Sequence, residues 1–277
     1  MPDLVTKRDR LLLLMRGYGS CAVAFSAGVD STVVAKAAQL ALGESAVAIT
    51  GTSASLAEGE LDEARRLAEQ IGIRHQVIAT GELDSADYVR NAPDRCYHCK
   101  TELYTEMGRF ASQLGVAVLV NGANVDDLGD YRPGMQAASE HRVESPLAEC
   151  GITKQEVRQL AAEWELPVWD KPATPCLSSR IAYGQAVTPE RLAMIDKAEQ
   201  YLRELGLPVV RVRYHEGDVA RLEVPPDALA RLCSQEIREP LVKRFKELGF
   251  RFVSLDLEGF RSGSLNNLVP LDVLQRS

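Results

Sequence analysis

Three of the six cysteines lie where thiol chemistry is possible. Cys96 and Cys99 are three residues apart at the predicted start of a helix, whose positive end stabilises thiolates. Cys176 lies in a loop of small polar residues near Arg180, which again favours a thiolate. Because full ligation of an iron–sulfur cluster takes four cysteines, three would leave one iron open for a substrate or an added sulfide, or would need a fourth ligand that the sequence does not identify. We therefore interpret Cys96, Cys99 and Cys176 as catalytic residues and metal ligands.

The Cys-X-X-Cys pair has other uses, which its spacing leaves open. It suits thiol–disulfide exchange, and it suits zinc if His98 or distant residues complete the four ligands. The pair also arises by chance. The remaining cysteines are expected in or near apolar cores: Cys21, Cys150 and Cys233.

A second stretch has the composition of a phosphate-binding loop. An apolar run at residues 23–25 gives way to small and hydroxyl residues, and an apolar pattern with helical spacing follows. Such a turn directs backbone N–H groups and the positive end of the helix dipole at an anion. Ser26, Ser31 and Thr32 add hydroxyl donors, and Asp30 could cap the helix or hold a cation. No Gly-Lys-Ser/Thr follows, so this is not a Walker loop. We interpret it as a nucleotide pyrophosphate loop, with an ordinary capped turn as the alternative.

Further candidates stand at the ends of later predicted strands. Thr50 ends the second strand, and Gly122 follows the fourth, where it would allow close approach of a base or ribose. Asp126 could hold Mg²⁺ at the phosphates, although an Asx-rich turn would also explain it. Arg132 is a candidate contact to phosphate or substrate.

Three arginines in the last third of the chain could bind a phosphate. Arg211 and Arg213 alternate along a predicted strand, so both project from one face, and Arg261 follows the last predicted strand. Together they could clamp one phosphate through bidentate contacts. The alternative is a solvated sheet face whose arginines are neutralised by nearby carboxylates: Glu223, Asp256 and Glu258.

These side chains must be positioned by an alternation of helices and strands. Apolar periodicity predicts helices over residues 4–18, 56–71, 96–114, 153–164, 188–205 and 229–248. Strands are predicted over residues 23–25, 46–51, 74–79, 117–122, 209–214, 219–224 and 251–256. Ser55 with Glu58 resembles a capping box at the second of these helices, and Pro240 is expected to interrupt the last one.

The order of these elements predicts an α/β fold, a parallel sheet with helices on both faces. Ligands of such sheets bind beyond the carboxyl ends of the strands, where Ser26 and Thr50 fall. After residue 186 the pattern changes to a helix, a hairpin, a helix and a strand. We therefore predict a nucleotide-binding domain over residues 1–186 and a smaller α+β domain over residues 187–277 for substrate binding and oligomerisation.

Composition narrows the class of protein further. The 277 residues carry a net charge of −7, which argues against a dominant nucleic-acid surface. The longest apolar runs are too short to span a bilayer, and the first residues do not form a signal peptide. We therefore expect a cytoplasmic protein without membrane partners, whose cysteines are more often reduced, catalytic or metal-bound than disulfide-paired.

The loop at residues 24–31, Ala-Phe-Ser-Ala-Gly-Val-Asp-Ser, resembles the PP-loop motif Ser-Gly-Gly-X-Asp-Ser of the ATP pyrophosphatases. Those enzymes cleave ATP between its α and β phosphates. Ala27 stands where the motif has its first glycine. If the position needs a positive φ, alanine costs on the order of 1 kcal/mol relative to glycine and ATP binding comes into question. With a negative φ, alanine in place of the motif's glycine is harmless.

With four further stretches in view, the chain resembles the LarE family of ATP-dependent sulfur transferases over nearly its whole length. Those stretches are Asp-Tyr-Arg-Pro-Gly at 130–134, Ser-Ser-Arg at 178–180 with Tyr-Gly at 183–184, Arg-Val-Arg-Tyr-His at 211–215 and Gly-Phe-Arg-Ser-Gly at 259–263. Only the PP-loop is common to PP-loop enzymes in general. The resemblance implies that ATP and Mg²⁺ are bound by Ser26, Ala27, Gly28, Asp30, Ser31, Thr50, Gly122, Asp126 and Arg132.

The resemblance also implies an activity in making the nickel-pincer nucleotide cofactor of lactate racemase. The family adenylates a carboxylate of pyridinium-3,5-biscarboxylic acid mononucleotide and releases pyrophosphate. Sulfur then replaces AMP to give a thiocarboxylate, and the second carboxylate is treated likewise. By the same resemblance the protein is a homo-hexamer that takes sulfur from an external source, and four arginines bind the substrate and its phosphate: Arg180, Arg211, Arg213 and Arg261.

The family has two sources of sulfur. One branch sacrifices a single loop cysteine, which ends as dehydroalanine, and the other holds a [4Fe-4S] cluster on three cysteines. Because this chain has Cys96 and Cys99 as well as Cys176, it resembles the cluster branch, with Cys176 as a ligand. A tRNA thiolase with a three-cysteine cluster, a PP-loop amide synthetase and an ATP-binding regulatory module remain alternatives.

Overall fold

The computed structural model describes residues 3–128, 133–172 and 174–261. The α-helices in these ranges are α1 (Leu4–Tyr18), α2 (Val29–Leu42), α3 (Glu60–Ile71), α4 (Ala86–Val89), α5 (Arg95–Leu114), α6 (Pro133–Glu140), α7 (Pro146–Glu149), α8 (Lys154–Glu163), α9 (Pro189–Glu204), α10 (Leu229–Cys233) and α11 (Gln235–Glu247). The strands are β1 (Cys21–Ala24), β2 (Ala46–Thr52), β3 (Arg74–Ala79), β4 (Val118–Val120), β5 (Arg211–His215), β6 (Val219–Glu223) and β7 (Phe252–Leu255). Across the described ranges, no helix combines the length and the apolar character that crossing a membrane requires.

The first sheet has four parallel strands in the order β3-β2-β1-β4. β1 is its centre, and Cys21 pairs with Ala46 on one side and with Val118 on the other. β1 and β2 are nearly continuous apolar runs, which is typical of strands that are covered on both faces. The predicted α/β fold with a parallel sheet is therefore confirmed.

Alternate residues of β2 lie in two different hydrophobic cores. Ala48 packs in a core that includes Leu11 of α1 and Leu160 of α8. Val47 packs in a second core with Met107 of α5. Because apolar clusters hold the strands from both faces, the loops at the carboxyl ends of the strands begin from fixed positions.

The second sheet has three strands in the order β5-β6-β7. β5 and β6 form an antiparallel hairpin, and β7 pairs with β6 in parallel. Gly217 and Asp218, in the hairpin turn, both have positive φ values of 77° and 57°. The hairpin predicted from the turn residues is confirmed, and α9 and α11 pack on this sheet.

The chain divides into two compact units. The first unit comprises Met1–Ser53, Glu58–Glu82 and Cys96–Thr174, and it contains the four-stranded sheet. The second unit comprises Ala54–Ala57, Leu83–Arg95 and Pro175–Ser277, and it contains the three-stranded sheet. This division differs from a single boundary at residue 186, because residues 175–186 and two short earlier segments group with the second unit.

Asn91 joins separate segments of the second unit. It is fully buried, and its φ is 56°. Its side-chain amide donates hydrogen bonds to the carbonyl oxygens of Ile181 (3.2 Å), Ala182 (2.9 Å) and Gln185 (3.0 Å). One side chain therefore satisfies three backbone acceptors of a distant segment, which fixes that segment against residues 83–95.

The predicted capping box at Ser55 is wrong. α3 begins at Glu60, and its N-cap is Gly59 with a φ of 84°. Ser55 instead belongs to the second unit, where its carbonyl oxygen accepts a hydrogen bond from the Leu177 N–H (2.9 Å). A tertiary contact has therefore overridden a local capping signal.

Two expectations for the last helical region are also wrong. Pro240 lies inside α11, and the interruption occurs at Ser234, whose backbone is extended between α10 and α11. Ser234 is an N-cap residue type, and its carbonyl accepts the first bond of α11 from Arg238 (2.8 Å). Cys233, expected in a core, is exposed, whereas Cys21 and Cys150 are buried as predicted.

Candidate active site

The PP-loop joins β1 to α2 in the first unit. The Phe25 N–H donates to the Ile49 carbonyl (2.8 Å), which continues the pairing one residue beyond β1. Gly28 is the N-cap of α2, its backbone is extended, and no side chain within the described residues caps this end. The first-turn N–H groups and the positive end of the dipole are thus available to an anion.

The loop hydroxyls have different tasks. Thr32 Oγ1 and Ser31 Oγ both donate to the Gly28 carbonyl (2.8 and 3.1 Å). The Ser26 N–H donates to Ser31 Oγ (3.3 Å). Ser31 and Thr32 are buried and fix the turn, whereas Ser26 is exposed and can reach a ligand.

Ala27 adopts the backbone conformation that glycine favours. Its φ is 56°, and it is fully buried in the core of the first unit. A left-handed L-residue costs roughly 1–2 kcal/mol, and the buried methyl group offsets part of that cost at about 0.8 kcal/mol. The loop therefore has the shape that the motif's glycine would give it, with strain stored at Ala27.

Asp30 has two side-chain partners among the described residues of the first unit. Asn124 Nδ2 donates to its Oδ1 (3.0 Å), and Lys154 Nζ donates to its Oδ2. Asp126 accepts the backbone N–H of Lys154 through Oδ2 (2.7 Å), so it stabilises the start of α8. The two carboxylates predicted to hold Mg²⁺ therefore both bond to Lys154.

Gly122 closely approaches the start of α2. A Cβ atom at this position would lie 2.8 Å from the Ser31 nitrogen and 3.0 Å from the Asp30 carbonyl carbon. The sequence predicted a close approach to a base or ribose, and the neighbour is instead protein backbone. The reason is topological: β4 lies beside β1, and the segments that follow these two strands leave the sheet at the same edge. Arg132, also predicted here, lies outside the described residues.

The Thr50 hydroxyl connects β2 with Phe25, the residue after β1, and with His75 near the start of β3. Thr50 Oγ1 donates to the Phe25 carbonyl (2.8 Å) and lies 2.8 Å from His75 Nε2. Because the one hydroxyl proton is used on Phe25, His75 must donate from Nε2. Burial, followed by the Arg65 charge, lowers the pKa of His75. Thr50 is buried, so it supports the loop from behind.

Sequence reasoning missed three side chains that contact this site: Lys154, Lys171 and His75. Lys171 Nζ donates to the Ala27 carbonyl (3.4 Å) and to Glu63 (2.8 Å). No local motif marks these residues, because their partners at the loop and at Thr50 are 124, 144 and 25 positions away in the chain.

The three predicted cysteine ligands are divided between the two units. Cys96 and Cys99 are in the first turns of α5, in the first unit, where Cys96 is exposed and Cys99 is half-buried. Cys176 is exposed in the second unit, just before a 3₁₀ turn at Leu177–Arg180. Within the described residues of either unit, no three His, Cys, Asp or Glu side chains are grouped as a metal site.

Arg180 anchors the Cys176 segment. It is fully buried, and its guanidinium pairs with Glu199 of α9 through Nε (3.0 Å). Nη1 donates to the carbonyls of Pro175 and Cys176, the latter at 3.0 Å. Arg180 was predicted to bind substrate, and the structure places it beneath the cysteine segment with Glu199 as its charge partner.

The remaining predicted substrate arginines are engaged by protein groups. Arg213 pairs with the buried carboxylate of Glu223 (2.8 Å), and Arg261 pairs with Glu258 (2.6 Å). Arg211 lies over the Phe260 ring, 5.1 Å from its centroid. Burial, and then the Arg180 charge, lowers the pKa of Arg211 to about 10. Carboxylate neutralisation, the alternative weighed for these residues, is therefore present for Arg213 and Arg261.

Comparison with known proteins separates a broad class from a specific family. The asparagine synthase family model matches residues 13–112, which contain the PP-loop. A protein of Synechocystis sp., named only as uncharacterized, is 48% identical over 96% of this chain and 99% of its own. Pyridinium-3,5-bisthiocarboxylic acid mononucleotide synthase of Lactiplantibacillus plantarum is 39% identical over 96% of each chain. The chain belongs to the LarE family.

As a LarE-family member the chain is an ATP-dependent sulfurtransferase with a PP-loop. The predicted family and enzyme class are both confirmed. A tRNA-specific 2-thiouridylase of Azorhizobium caulinodans is also similar, at 31% identity over 54% of this chain and 48% of its own. That match covers only half of each protein, so it reflects the wider class to which LarE enzymes belong.

Proposed function

We propose that this enzyme adenylates the carboxylates of pyridinium-3,5-biscarboxylic acid mononucleotide with ATP and converts them to thiocarboxylates. The product would serve nickel-pincer nucleotide cofactor synthesis. The observation that carries the proposal is the 39% identity to the Lactiplantibacillus synthase over 96% of both chains. The PP-loop geometry supports the ATP half of the reaction.

The loop residues suit the adenylation step. A carboxylate oxygen of the substrate attacks the α phosphorus, the bond to the α–β bridging oxygen breaks, and pyrophosphate leaves with the electron pair. The first-turn N–H groups of α2 and the exposed Ser26 would stabilise the charge that builds on pyrophosphate. Mg²⁺ would neutralise phosphate charge, and Asp30 is the carboxylate of this first turn that could hold it.

The cysteines suit the sulfur-transfer step. Cys96 and Cys176 are exposed, and Cys99 is half-buried. Cys96, Cys99 and Cys176 would be the ligands of a [4Fe-4S] cluster, which would supply a sulfide when bound. The chain's own task is then to hold the acyl-adenylate where sulfur can displace AMP.

A sacrificial Cys176 is the second possibility for the sulfur source. Its exposure and the Arg180 anchor support a reactive thiol equally well. In that case the Cys176 thiol loses its proton and displaces AMP from the acyl-adenylate to form a thioester. A base then removes the Cα proton of Cys176, the Cβ–S bond breaks with its electron pair on sulfur, and the thiocarboxylate leaves. The chain keeps dehydroalanine at position 176 and has lost one sulfur. Mass spectrometry separates the two possibilities because only the second one changes the mass of the protein.

The deciding experiment is anaerobic turnover with ATP, Mg²⁺ and the biscarboxylic acid mononucleotide. We expect pyrophosphate and a thiocarboxylate product, about four irons per chain after reconstitution, and an unchanged protein mass. Serine at Cys96, Cys99 or Cys176 should abolish iron loading, whereas serine at the exposed Cys233 should not. Loss of one sulfur from Cys176 would mean that this cysteine, and not a cluster, is the source of the transferred sulfur. Absence of pyrophosphate release would overturn the proposed substrate.

We also propose that the second unit binds the substrate phosphate and that the enzyme is a homo-hexamer. Arg211, Arg213 and Arg261 would bind the phosphate in competition with Glu223 and Glu258. The hexamer rests on family resemblance, and sedimentation velocity of the purified chain tests it.

A further inference from the structure

Lys154 places an ammonium group at the PP-loop. Its Nζ donates to Oδ2 of Asp30, which is the acidic residue in the first turn of α2. The Lys154 side chain is 38% exposed and that of Asp30 is 24% exposed, so the pair borders solvent. A ligand that arrives at the first turn of α2 therefore meets this ion pair.

Asp30 creates an electrostatic problem for a polyphosphate. A carboxylate beside the N–H groups of a helix start repels phosphate oxygens unless a cation neutralises it. In the described part of the chain that cation is Lys154. When Mg²⁺ accompanies ATP, the metal can neutralise Asp30, and the ammonium is then available for a phosphate oxygen nearby.

Lys171 also contacts the loop but is held differently. Its Nζ donates to the Ala27 carbonyl (3.4 Å) and pairs with Glu63 (2.8 Å) and Glu60 (3.5 Å), and its side chain is only 16% exposed. Two carboxylates and burial thus hold Lys171 in place. Among the residues that the structure describes, Lys154 has one carboxylate partner, and its side chain is more exposed, so an exchange of partners costs it little.

The backbone of Lys154 is fixed even though its ammonium can move. Its N–H donates to Asp126 (2.7 Å), and Thr153 and Glu156 form a capping box at the start of α8. The side chain therefore starts from a rigid point at the loop, which favours a defined contact with a ligand.

From these contacts we infer that Lys154 binds the β- or γ-phosphate of ATP and stabilises the departing pyrophosphate. On nucleotide binding its ammonium exchanges the Asp30 carboxylate for a phosphate oxygen. The α–β bond breaks as in the adenylation step above, and the negative charge gained by pyrophosphate is shared with Lys154. The inference rests on the ATP use in the proposed function and does not depend on which carboxylate accepts the adenylyl group.

Binding of three ligands in the presence of Mg²⁺ tests the inference by calorimetry: ATP, inorganic pyrophosphate and AMP. Lys154→Gln should weaken ATP and pyrophosphate about 10- to 100-fold, the range for one hydrogen bond to a charged group, and leave AMP unchanged. The control is Lys36→Gln, which makes the same charge change later in α2 and should leave all three ligands unchanged. Equal weakening of ATP and AMP, or no weakening of ATP, overturns the inference.

Acetylation of the unmodified enzyme gives a second measurement that does not depend on folding of a variant. Pyrophosphate should protect Lys154 from an amine-reactive acetyl donor, as read by mass spectrometry, and AMP should not protect it. Equal labelling with and without pyrophosphate contradicts the inference. If both tests succeed and the mononucleotide still releases no pyrophosphate, the proposed acceptor fails while the role of Lys154 stands.

Discussion

At the scale of single residues, Ala27 shows how a motif can be kept in shape while its sequence changes. The sequence left the sign of φ open, and the structure gives φ of 56° with the methyl group buried. The positive φ is the case in which ATP binding comes into question, so affinity must be measured with and without the alanine.

We expect Ala27→Gly to change the free energy of unfolding by less than about 1 kcal/mol, because relief of strain is offset by chain entropy and a lost buried methyl. ATP affinity should be unchanged, since the loop already has the glycine-like shape. The control is Ala37→Gly, a buried alanine within α2, which should destabilise by about 1 kcal/mol or more. Urea denaturation and calorimetry measure both. A large gain in ATP affinity for Ala27→Gly would mean that Ala27 distorts the loop.

Gly122 allows a sharper prediction, because its neighbour is backbone. Gly122→Ala places a methyl group 2.8 Å from the Ser31 nitrogen, so the start of α2 must shift. We expect a loss of roughly 1–3 kcal/mol in unfolding free energy, as for overpacking, and weaker ATP binding.

The control for Gly122 is Gly108, which lies within α5, where an added methyl group would have no neighbouring atom within 4 Å. Gly108→Ala should stabilise the protein by about 0.5–1 kcal/mol through helix propensity, and ATP binding should be unchanged. Normal ATP affinity in Gly122→Ala would show that the start of α2 tolerates the shift.

At the scale of secondary-structure elements, His75 and Thr50 connect β3 and β2 to the carbonyl of Phe25 beyond β1. Burial, and to a lesser extent the Arg65 charge, lowers the pKa of His75 in the folded chain. The unfolded chain therefore binds a proton more tightly near pH 6.5, and stability should fall as the pH drops below that value. Above it the histidine is neutral in both states and this contribution is constant.

We predict that His75→Gln removes part of the stability loss at acidic pH. The glutamine side-chain amide can still donate a hydrogen bond to Thr50. Urea midpoints between pH 5 and pH 8 measure the effect. His141→Gln, which changes a histidine elsewhere in the first unit, should keep the full loss. The same pH slope in His75→Gln as in the parent would contradict the assignment to His75.

Elements with strong periodicity were predictable, and those decided by tertiary contact were not. The ranges of α1, β3, α5 and α9 follow closely from apolar spacing and helix caps. Ser55 has a capping signal, yet its carbonyl is needed by Leu177 in the second unit. Lys154 and Asp30 are 124 positions apart in the chain, so no local pattern could pair them.

At the scale of the whole molecule, the acidic net charge argues against a tRNA substrate. Nucleic-acid binding depends on clustered Lys and Arg side chains that neutralise phosphates and release counterions, and a net charge of −7 is unfavourable for a broad surface of that kind. We expect no retention of tRNA in a mobility-shift assay at about 0.15 M salt. The Azorhizobium 2-thiouridylase is the positive control. Retention and thiolation of tRNA would instead favour a tRNA substrate.

The division into units was the least predictable feature. Composition changes near residue 186, but residues 54–57 and 83–95 have no signal that assigns them to the second unit. Candidate residues could be chosen from type and spacing, as for the loop, the cysteines and the arginines, and the roles given to them stay predictions. Their partners, such as Glu199 for Arg180, depend on contacts that only the folded chain supplies.

Two short segments of the second unit, residues 54–57 with Ser55 and residues 83–95 with Asn91, limit how the two units can be exchanged between related proteins. A single crossover at residue 175 would transfer most of the second unit but would leave Asn91 behind, and with it the amide that satisfies the carbonyls of Ile181, Ala182 and Gln185. A hybrid of that kind carries buried, unpaired acceptors and loses stability. A hybrid is therefore expected to keep its stability only if residues 54–57 and 83–95 come from the same parent as the segment after residue 175.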